Sequence, residues 1–214
     1  MSGGTPVSGE TPVSGAHLGA IVLAGGRSSR FGRDKLAEPL ADGRSLLDHA
    51  IAAVMALGSG IDVVVVAAPG VAPDLPASAR LAHDPEAFAG PLAGLAAGLV
   101  ALRPEVDRAV VVAGDMPSLV PAVLGLLDAA ILDGADAAVL EDPADPRPFT
   151  FPIALRRAAA ARLVERELAT GTRQFKVVAD GLVARIVPAK AWMALDPVGA
   201  TPRDVDVAGD LPAP

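Results

Sequence analysis

Leu18-Gly19-Ala20-Ile21-Val22-Leu23-Ala24-Gly25-Gly26-Arg27-Ser28-Ser29-Arg30-Phe31-Gly32-Arg33-Asp34-Lys35 decides the fold: an apolar run breaks into a glycine-rich, cation-rich turn. A strand that opens this way offers backbone N–H groups and positive charge to an anionic ligand, and a nucleotide's phosphate chain calls for both. Gly25 and Gly26 lack a Cβ, so the chain there can take positive φ and approach a ligand closely. From Arg27 to Lys35 three arginines and one lysine stand against one aspartate, a local charge of +3 in a 214-residue chain of formal net charge −7. Guanidinium forks clamp phosphate oxygens in pairs, whereas an ammonium on a flexible stem follows charge as it moves. Two familiar loops are excluded by counting. A P-loop fails because Gly32 stands six residues after Gly26 and is followed by Arg33-Asp34. The dinucleotide fingerprint fails because positions 27 and 30 are arginines.

On the amino-terminal side, Gly4-Thr5-Pro6-Val7-Ser8-Gly9 is nearly repeated as Glu10-Thr11-Pro12-Val13-Ser14-Gly15, and this composition predicts a disordered tail over 1–16. Residues 17–214 read as one domain, the natural size for a single core. Leu18–Leu23, Ile61–Ala68, Ala109–Ala113 and Ala137–Leu140 read as strands; Ser45–Leu57, Pro91–Leu102, Pro121–Leu132 and Ala154–Leu168 read as helices. The runs Val63-Val64-Val65-Val66 and Val110-Val111-Val112 suit strands covered on both faces. The pattern predicts an α/β, doubly wound three-layer sandwich with a mostly parallel sheet. In such folds ligands sit outside the carboxyl ends of the strands, where the glycine loop falls.

Hydrophobic residues make up 51% of the chain and aromatics only 3%, so the core must be built from alanine, valine and leucine. No cysteine is present, which removes disulfides and thiolate metal sites and fits a cytoplasmic setting. The longest uncharged stretches, Thr11–Gly26 and Ala87–Leu102, are 16 residues each, shorter than the ~20 needed to span a bilayer. No basic region followed by an apolar block opens the chain, so no secretion signal and no membrane partner are expected. An isoelectric point near 4.9 argues against nucleic acid as a partner.

Ala109–Ala113 runs into Gly114-Asp115-Met116-Pro117. An aspartate at the tip of a central strand projects into the same crevice as the first loop and can hold Mg²⁺, which takes few protein ligands and completes its shell with water and phosphate. The plainer alternative is a cap for a helix beginning near Ser118 or Leu119. His17, His49 and His83 show no ligand spacing, and no Ser-His-Asp arrangement can be built from them.

Leu23 through Gly25, Gly26, Arg30, Phe31 and Gly32 to Asp34 and Lys35 fill every fixed position of Leu-Ala-Gly-Gly-x-x-x-Arg-Met/Phe-Gly-x-Asp-Lys, and the chain thereby resembles the molybdenum cofactor guanylyltransferase family. The resemblance implies a loop that wraps a triphosphate, with Leu23, Ala24, Gly25, Gly26 and Lys35 binding the nucleotide and Arg30, Lys35 and Asp115 catalytic. It also implies Mg²⁺ and nucleotide on Asp115. Gly90-Pro91-Leu92-Ala93-Gly94 is similar to a family segment preceded by a nucleotide-site aspartate, a role that passes to Asp84. Asp204-Val205-Asp206-Val207-Ala208-Gly209-Asp210-Leu211 is similar to the family's Asp/Asn-x-Asp/Asn-Thr-Pro-x-Asp-Leu, but Val207-Ala208 replaces Thr-Pro. Alternation puts Asp204 and Asp206 on one face, where they could meet the acceptor or a second metal. After the second strand some relatives offer an asparagine to the nucleotide; this chain has Ala67-Ala68-Pro69. Pro146–Arg157, with Trp192 and Asp196-Pro197, resembles the family's acceptor side loosely, and Trp192 reads as a packing residue or pocket edge.

The implied reaction moves GMP from GTP to a molybdopterin-type acceptor, with delivery to maturation proteins of molybdoenzymes. A cytidylyltransferase acting on the same pterin or another small phosphate acceptor remains an alternative, as does a noncatalytic nucleotide- or cofactor-binding module.

Overall fold

In the computed structural model, which describes residues 17–25, 34–85 and 90–211, the opening apolar run forms β1 (His17–Ala24), and the other strands are ordered around it. β2 (Asp62–Ala67) and β4 (Val106–Ala113) flank it in parallel, and β3 (Ala79–His83) extends the β2 side. Beyond β4 come β6 (Ile153–Arg156), β5 (Ala137–Leu140) and β7 (Ala184–Val187). Among the described residues the seven strands form one sheet in the order β3-β2-β1-β4-β6-β5-β7, antiparallel only where β6 meets β4 and β5. The sheet is therefore mostly parallel, as expected. The proposed tail over 1–16 lies outside the described residues.

Alternation along the strands sorts the core into two layers. Ala20, Val22, Val63, Val65, Val110 and Val112 face α1 (Leu46–Met55) and α3 (Pro121–Leu132). Ile21, Val64, Val66 and Val111 face α2 (Pro91–Ala101) and α4 (Arg157–Ala169). Both faces are thus covered, which is why the valine runs are continuous. The short α5 (Val177–Gly181) and α6 (Ala189–Trp192) flank β7 in the chain. α1 starts on a reciprocal cap: Ser45 Oγ accepts from Asp48 N at 3.1 Å, and an Asp48 carboxylate oxygen accepts from Ser45 N at 2.9 Å.

The structure corrects the reading at three places. Ala154–Arg156 are strand, not the first turn of a helix, and α4 begins only at Arg157. Ile153-Ala154-Leu155 are fully buried between β4 and β5, and this double pairing outweighs a local alanine-rich composition that favours helix. α3 begins at Pro121, with Val120 as its cap, so Asp115 does not cap it. β3 and β7 are additional strands.

Two consecutive arginines where β6 meets α4 tie the layers to the sheet. Arg156 reaches the carboxyl end of α3, donating to Ile131 O at 2.7 Å and Ala135 O at 2.8 Å. Arg157 turns to the other face and donates to Leu99 O (3.1 Å), Leu102 O (3.0 Å), Arg103 O (2.6 Å) and Val106 O (3.1 Å), closing the end of α2. The last carbonyls of a helix have no partner within it, so each guanidinium satisfies acceptors that would otherwise need water. Among the described residues no helix is long and apolar enough to cross a membrane.

Candidate functional site

The carboxyl ends of the central strands are bound to one another where they finish. Gly114 N donates to Leu23 O at 2.9 Å, joining the tips of β1 and β4, and Asp84 N donates to Ala67 O at 3.0 Å, joining the exit of β3 to β2. Gly25, Asp84 and Asp115 therefore come to one rim, around a cavity of about 280 Å³. Leu23, Ala24, Gly25, Lys35, Asp84 and Asp115 all line it, with Pro91 and Gly94 of α2 and Phe151 closing it. These are all the expected nucleotide-binding residues except Gly26, which, like Arg30, lies outside the described residues.

Lys35 opens a single 3-10 turn, Lys35–Ala37, whose cap is Asp34: its Oδ1 accepts from Leu36 N at 3.1 Å. The Asp-Lys order in the sequence thus has a mechanical reason, since the aspartate fixes the turn from which the lysine projects. Lys35 Nζ stands 2.6 Å from Asp115 Oδ2 and donates to Val205 O at 2.7 Å, with Asp206 Oδ1 farther off at 3.7 Å.

Two carboxylate oxygens at this rim, Asp84 Oδ1 and Asp115 Oδ1, are buried with no hydrogen-bond partner among the described residues. A buried acceptor left unpaired costs free energy and needs a reason. Here both belong to side chains that line the cavity, so they stand ready for a cation or for ligand N–H and O–H groups. Burial pushes the Asp84 carboxyl above the ordinary aspartate value. Among the described residues no three acidic or histidine side chains cluster closely enough to hold a metal ion. A hard cation on this rim would take one or two carboxylates from the protein and its remaining ligands from water and phosphate, which is the habit of Mg²⁺. The donor set therefore fits that ion.

At Gly25 only the backbone conformation differs from expectation. It is not at positive φ; the local feature that favours glycine is proximity, because a Cβ there would lie 3.1 Å from Asp84 Oδ2. Asp84 Oδ1 also sits 3.4 Å from the position a Cβ would take at Gly94, at van der Waals distance, so the carboxylate lies between the two glycines.

The carboxyl-terminal segment returns across the strand tips as a strap. Thr201, fully buried, accepts on Oγ1 from Val120 N at 3.2 Å, and its own N–H donates to Asp196 Oδ2 at 2.6 Å. Burial alone would raise the Asp196 pKa, but hydrogen bonds from Thr201, Ala200 and Gly199 outweigh it and the net shift is downward. Four residues past Thr201, Val205 N donates to Asp115 O at 3.0 Å while Val205 O receives Lys35. Asp204 and Asp206 are exposed on either side of buried Val205. Partial burial, then the nearby charge of Asp115, raises the Asp204 carboxyl's pKa. The positive charge of Lys35 opposes that rise, and of the two aspartates Asp206 is the one within 4 Å of the ammonium. Trp192 is 1% exposed and donates from Nε1 to Glu141 O at 3.0 Å, a packing residue. Asp34 as cap, Val205 O, Thr201 and Phe151 are the contributors that sequence reasoning missed; of these only Asp34 carries a local sequence signal.

The chain matches the family model described as the MobA-like NTP transferase domain over residues 20–178. It is 33% identical over 196 residues to the probable molybdenum cofactor guanylyltransferase of Chloroflexus aggregans, covering 91% of each chain. Its fold is similar to that of molybdopterin-guanine dinucleotide biosynthesis protein A from Archaeoglobus fulgidus, with TM-score 0.69, 24% identity and coverage of 90% and 94% of the two chains. It is also similar in fold to 4-diphosphocytidyl-2C-methyl-D-erythritol synthase from Anaerococcus prevotii, with TM-score 0.68, 14% identity and coverage of 93% and 94%.

Proposed function

Since the chain belongs to the MobA-like NTP transferase family, we propose that it moves GMP from GTP to the phosphate monoester of a molybdopterin acceptor and releases pyrophosphate. The observation that supports this most is the Lys35–Asp115 pair, 2.6 Å apart, on the rim that Gly25 and Asp84 share. Binding alone needs no ammonium and carboxylate so arranged; displacement at phosphorus does, because charge shifts along the phosphate chain as the reaction proceeds.

An oxygen of the acceptor phosphate attacks the α-phosphorus in line. The bond from that phosphorus to its bridging oxygen breaks, and pyrophosphate departs with the electron pair. A phosphate monoester is largely deprotonated at neutral pH, its second pKa being about 6, so no side chain has to remove a proton. This accords with a described rim that holds no histidine. Lys35, steadied by Val205 O, meets the negative charge of the phosphates, and Gly25 lets the backbone lie close beneath them. Asp115 and Asp84 would hold Mg²⁺ through their unpaired oxygens. When bound, Mg²⁺ draws off charge from the leaving pyrophosphate. The reading carries with it a cytoplasmic setting and delivery of the product to molybdoenzyme maturation proteins.

The test is pyrophosphate release by the full chain with molybdopterin, Mg²⁺ and each of GTP, CTP, ATP and UTP in turn. GTP alone should support turnover; turnover with CTP alone would overturn the guanine assignment. Asp115→Ala should release no pyrophosphate while retaining its circular dichroism. Undiminished turnover in that variant would remove Asp115 from the reaction.

A further inference from the structure

We propose that, before a nucleotide enters, the Lys35 ammonium takes the cation's place on Asp115 and thereby excludes a bare divalent ion until a triphosphate draws the ammonium away. This rests on the nucleotidyl-transfer reading above and adds the order in which the site accepts its charges.

One carboxylate has two claimants. Asp115 Oδ2 lies 2.6 Å from Lys35 Nζ, while Asp115 Oδ1 is buried and has no hydrogen-bond partner among the described residues. Two further oxygens face the ammonium, Val205 O at 2.7 Å and Asp206 Oδ1 at 3.7 Å. Carboxylate and carbonyl oxygens are the ligands a hard cation takes, so Lys35 brings its charge to donors that suit a metal. A second cation on Oδ1 would meet the ammonium across a single carboxylate. The two side chains are only 15% and 19% exposed, so little solvent or salt comes between them to weaken that repulsion.

The lysine is held at its root and loose at its tip. Asp34 caps the turn on which it stands, and Glu38 N donates to Lys35 O at 3.0 Å. Its four-carbon stem can swing, and an ammonium is a compact point charge that needs no particular plane of approach. A triphosphate entering the cavity sets several negative charges against the single one on Asp115. The ammonium then moves to the phosphates, and Asp115 is released to a metal. Asp115 itself stays in place, because Val205 N donates to its backbone oxygen at 3.0 Å in a bond that does not involve the lysine.

Binding of the two ligands is coupled as a result. The triphosphate favours the metal by taking Lys35 off Asp115, and by linkage the metal favours the triphosphate by the same factor. An ion pair of purely structural role has no such consequence, since deleting its lysine leaves Asp115 no better at holding a metal.

The experiment uses Mn²⁺ alone as the probe, with loss of the free-ion EPR signal as the binding readout on the full chain and no nucleotide present. The unmodified chain should hold Mn²⁺ only in the millimolar range. Lys35→Met and Lys35→Gln should each bind it about tenfold more tightly or better, the scale on which one neighbouring unit charge shifts an equilibrium in a poorly hydrated site. Lys35→Arg, which keeps the charge, should bind no better than the unmodified chain. Adding Asp115→Asn to Lys35→Met should return the affinity to the millimolar range. Micromolar binding of Mn²⁺ by the unmodified chain overturns the proposal without recourse to any variant, and so decides the matter even where the neutral variants do not fold. Unaltered affinity in folded Lys35→Met and Lys35→Gln overturns it as well, as does tight binding by Lys35→Arg. Absence of pyrophosphate release from the unmodified chain with GTP and molybdopterin instead overturns the transfer reading itself, whatever the affinity for Mn²⁺.

Discussion

The two halves of the molecule contribute to the site in different currencies of structure. From β1 to β4 the chain supplies side chains: Lys35, Asp84 and Asp115 each stand just beyond a strand or at a capped turn, and each faces the cavity. From β5 onward it supplies chiefly placement. Val205 offers a backbone carbonyl, Thr201 ties the strap to the start of α3, Phe151 and Phe175 form a wall, and Arg156 and Arg157 clamp helices. Chemistry-bearing groups must be held accurately, and the second half holds them while presenting few reactive atoms of its own.

The sharpest way to break that contrast is Lys35→Ala. Transfer should fall a hundredfold or more, the scale for losing a preorganised charge, with little change in thermal stability. A loss below about twofold in steady-state turnover would leave the first half without its central cation.

Arg157→Ala should do the reverse. Four backbone carbonyls between the last turn of α2 and the start of β4 lose their donor, costing about 2 kcal/mol in denaturant unfolding, while KM for GTP stays within about twofold. If turnover collapsed with stability intact, the division between the halves would be wrong.

Thr201→Val tests the junction between them. It keeps the shape but removes the acceptor for Val120 N, so stability should drop by about 1 kcal/mol and kcat should fall several-fold as Val205 O loses its hold on Lys35. Thr201→Ser should restore both. Loss of stability alone, with kcat unmoved, would detach the strap from Lys35.

Asp84→Asn, read on the stability of the chain free of ligands, gives a small effect with a pH signature. The folded-state carboxyl titrates above its ordinary 3.8, so between that value and the raised one the folded chain carries the extra proton. Stability contributed by that proton is present at low pH and lost as pH rises through the window. Replacing the carboxylate should therefore stabilise the chain, free of nucleotide and metal, by about 1 kcal/mol at pH 7, and the gain should vanish toward pH 4. Thermal unfolding of both proteins across that range measures it; a gain independent of pH would point to packing instead.

Much of the first half was legible in the sequence because its signals are local. Four successive valines can hardly be other than a doubly covered strand, and glycines with cations after such a strand mark an anion site. The second half resisted for physical reasons. Ile153-Ala154-Leu155 is a strand only because two neighbours pair with it. β3 and β7 are edge strands whose exposed Leu81, Arg185 and Ile186 blur the alternation. The carbonyl of Val205 leaves no trace in residue identity at all. The closeness of Gly25 to Asp84, 59 positions along the chain, likewise leaves no trace in its local turn.

One feature of the frame bears on motion. Residues 156 and 157 are neighbours, yet their guanidinium groups grip helices above and below the sheet. The upper and lower storeys are thus registered to each other through a single peptide unit, like two floors bolted to the same beam. Shear between them would strip several backbone carbonyls of their donors at once. Whatever gating admits substrates should accordingly be sought among the connections above the carboxyl edge, over a chassis that does not slide.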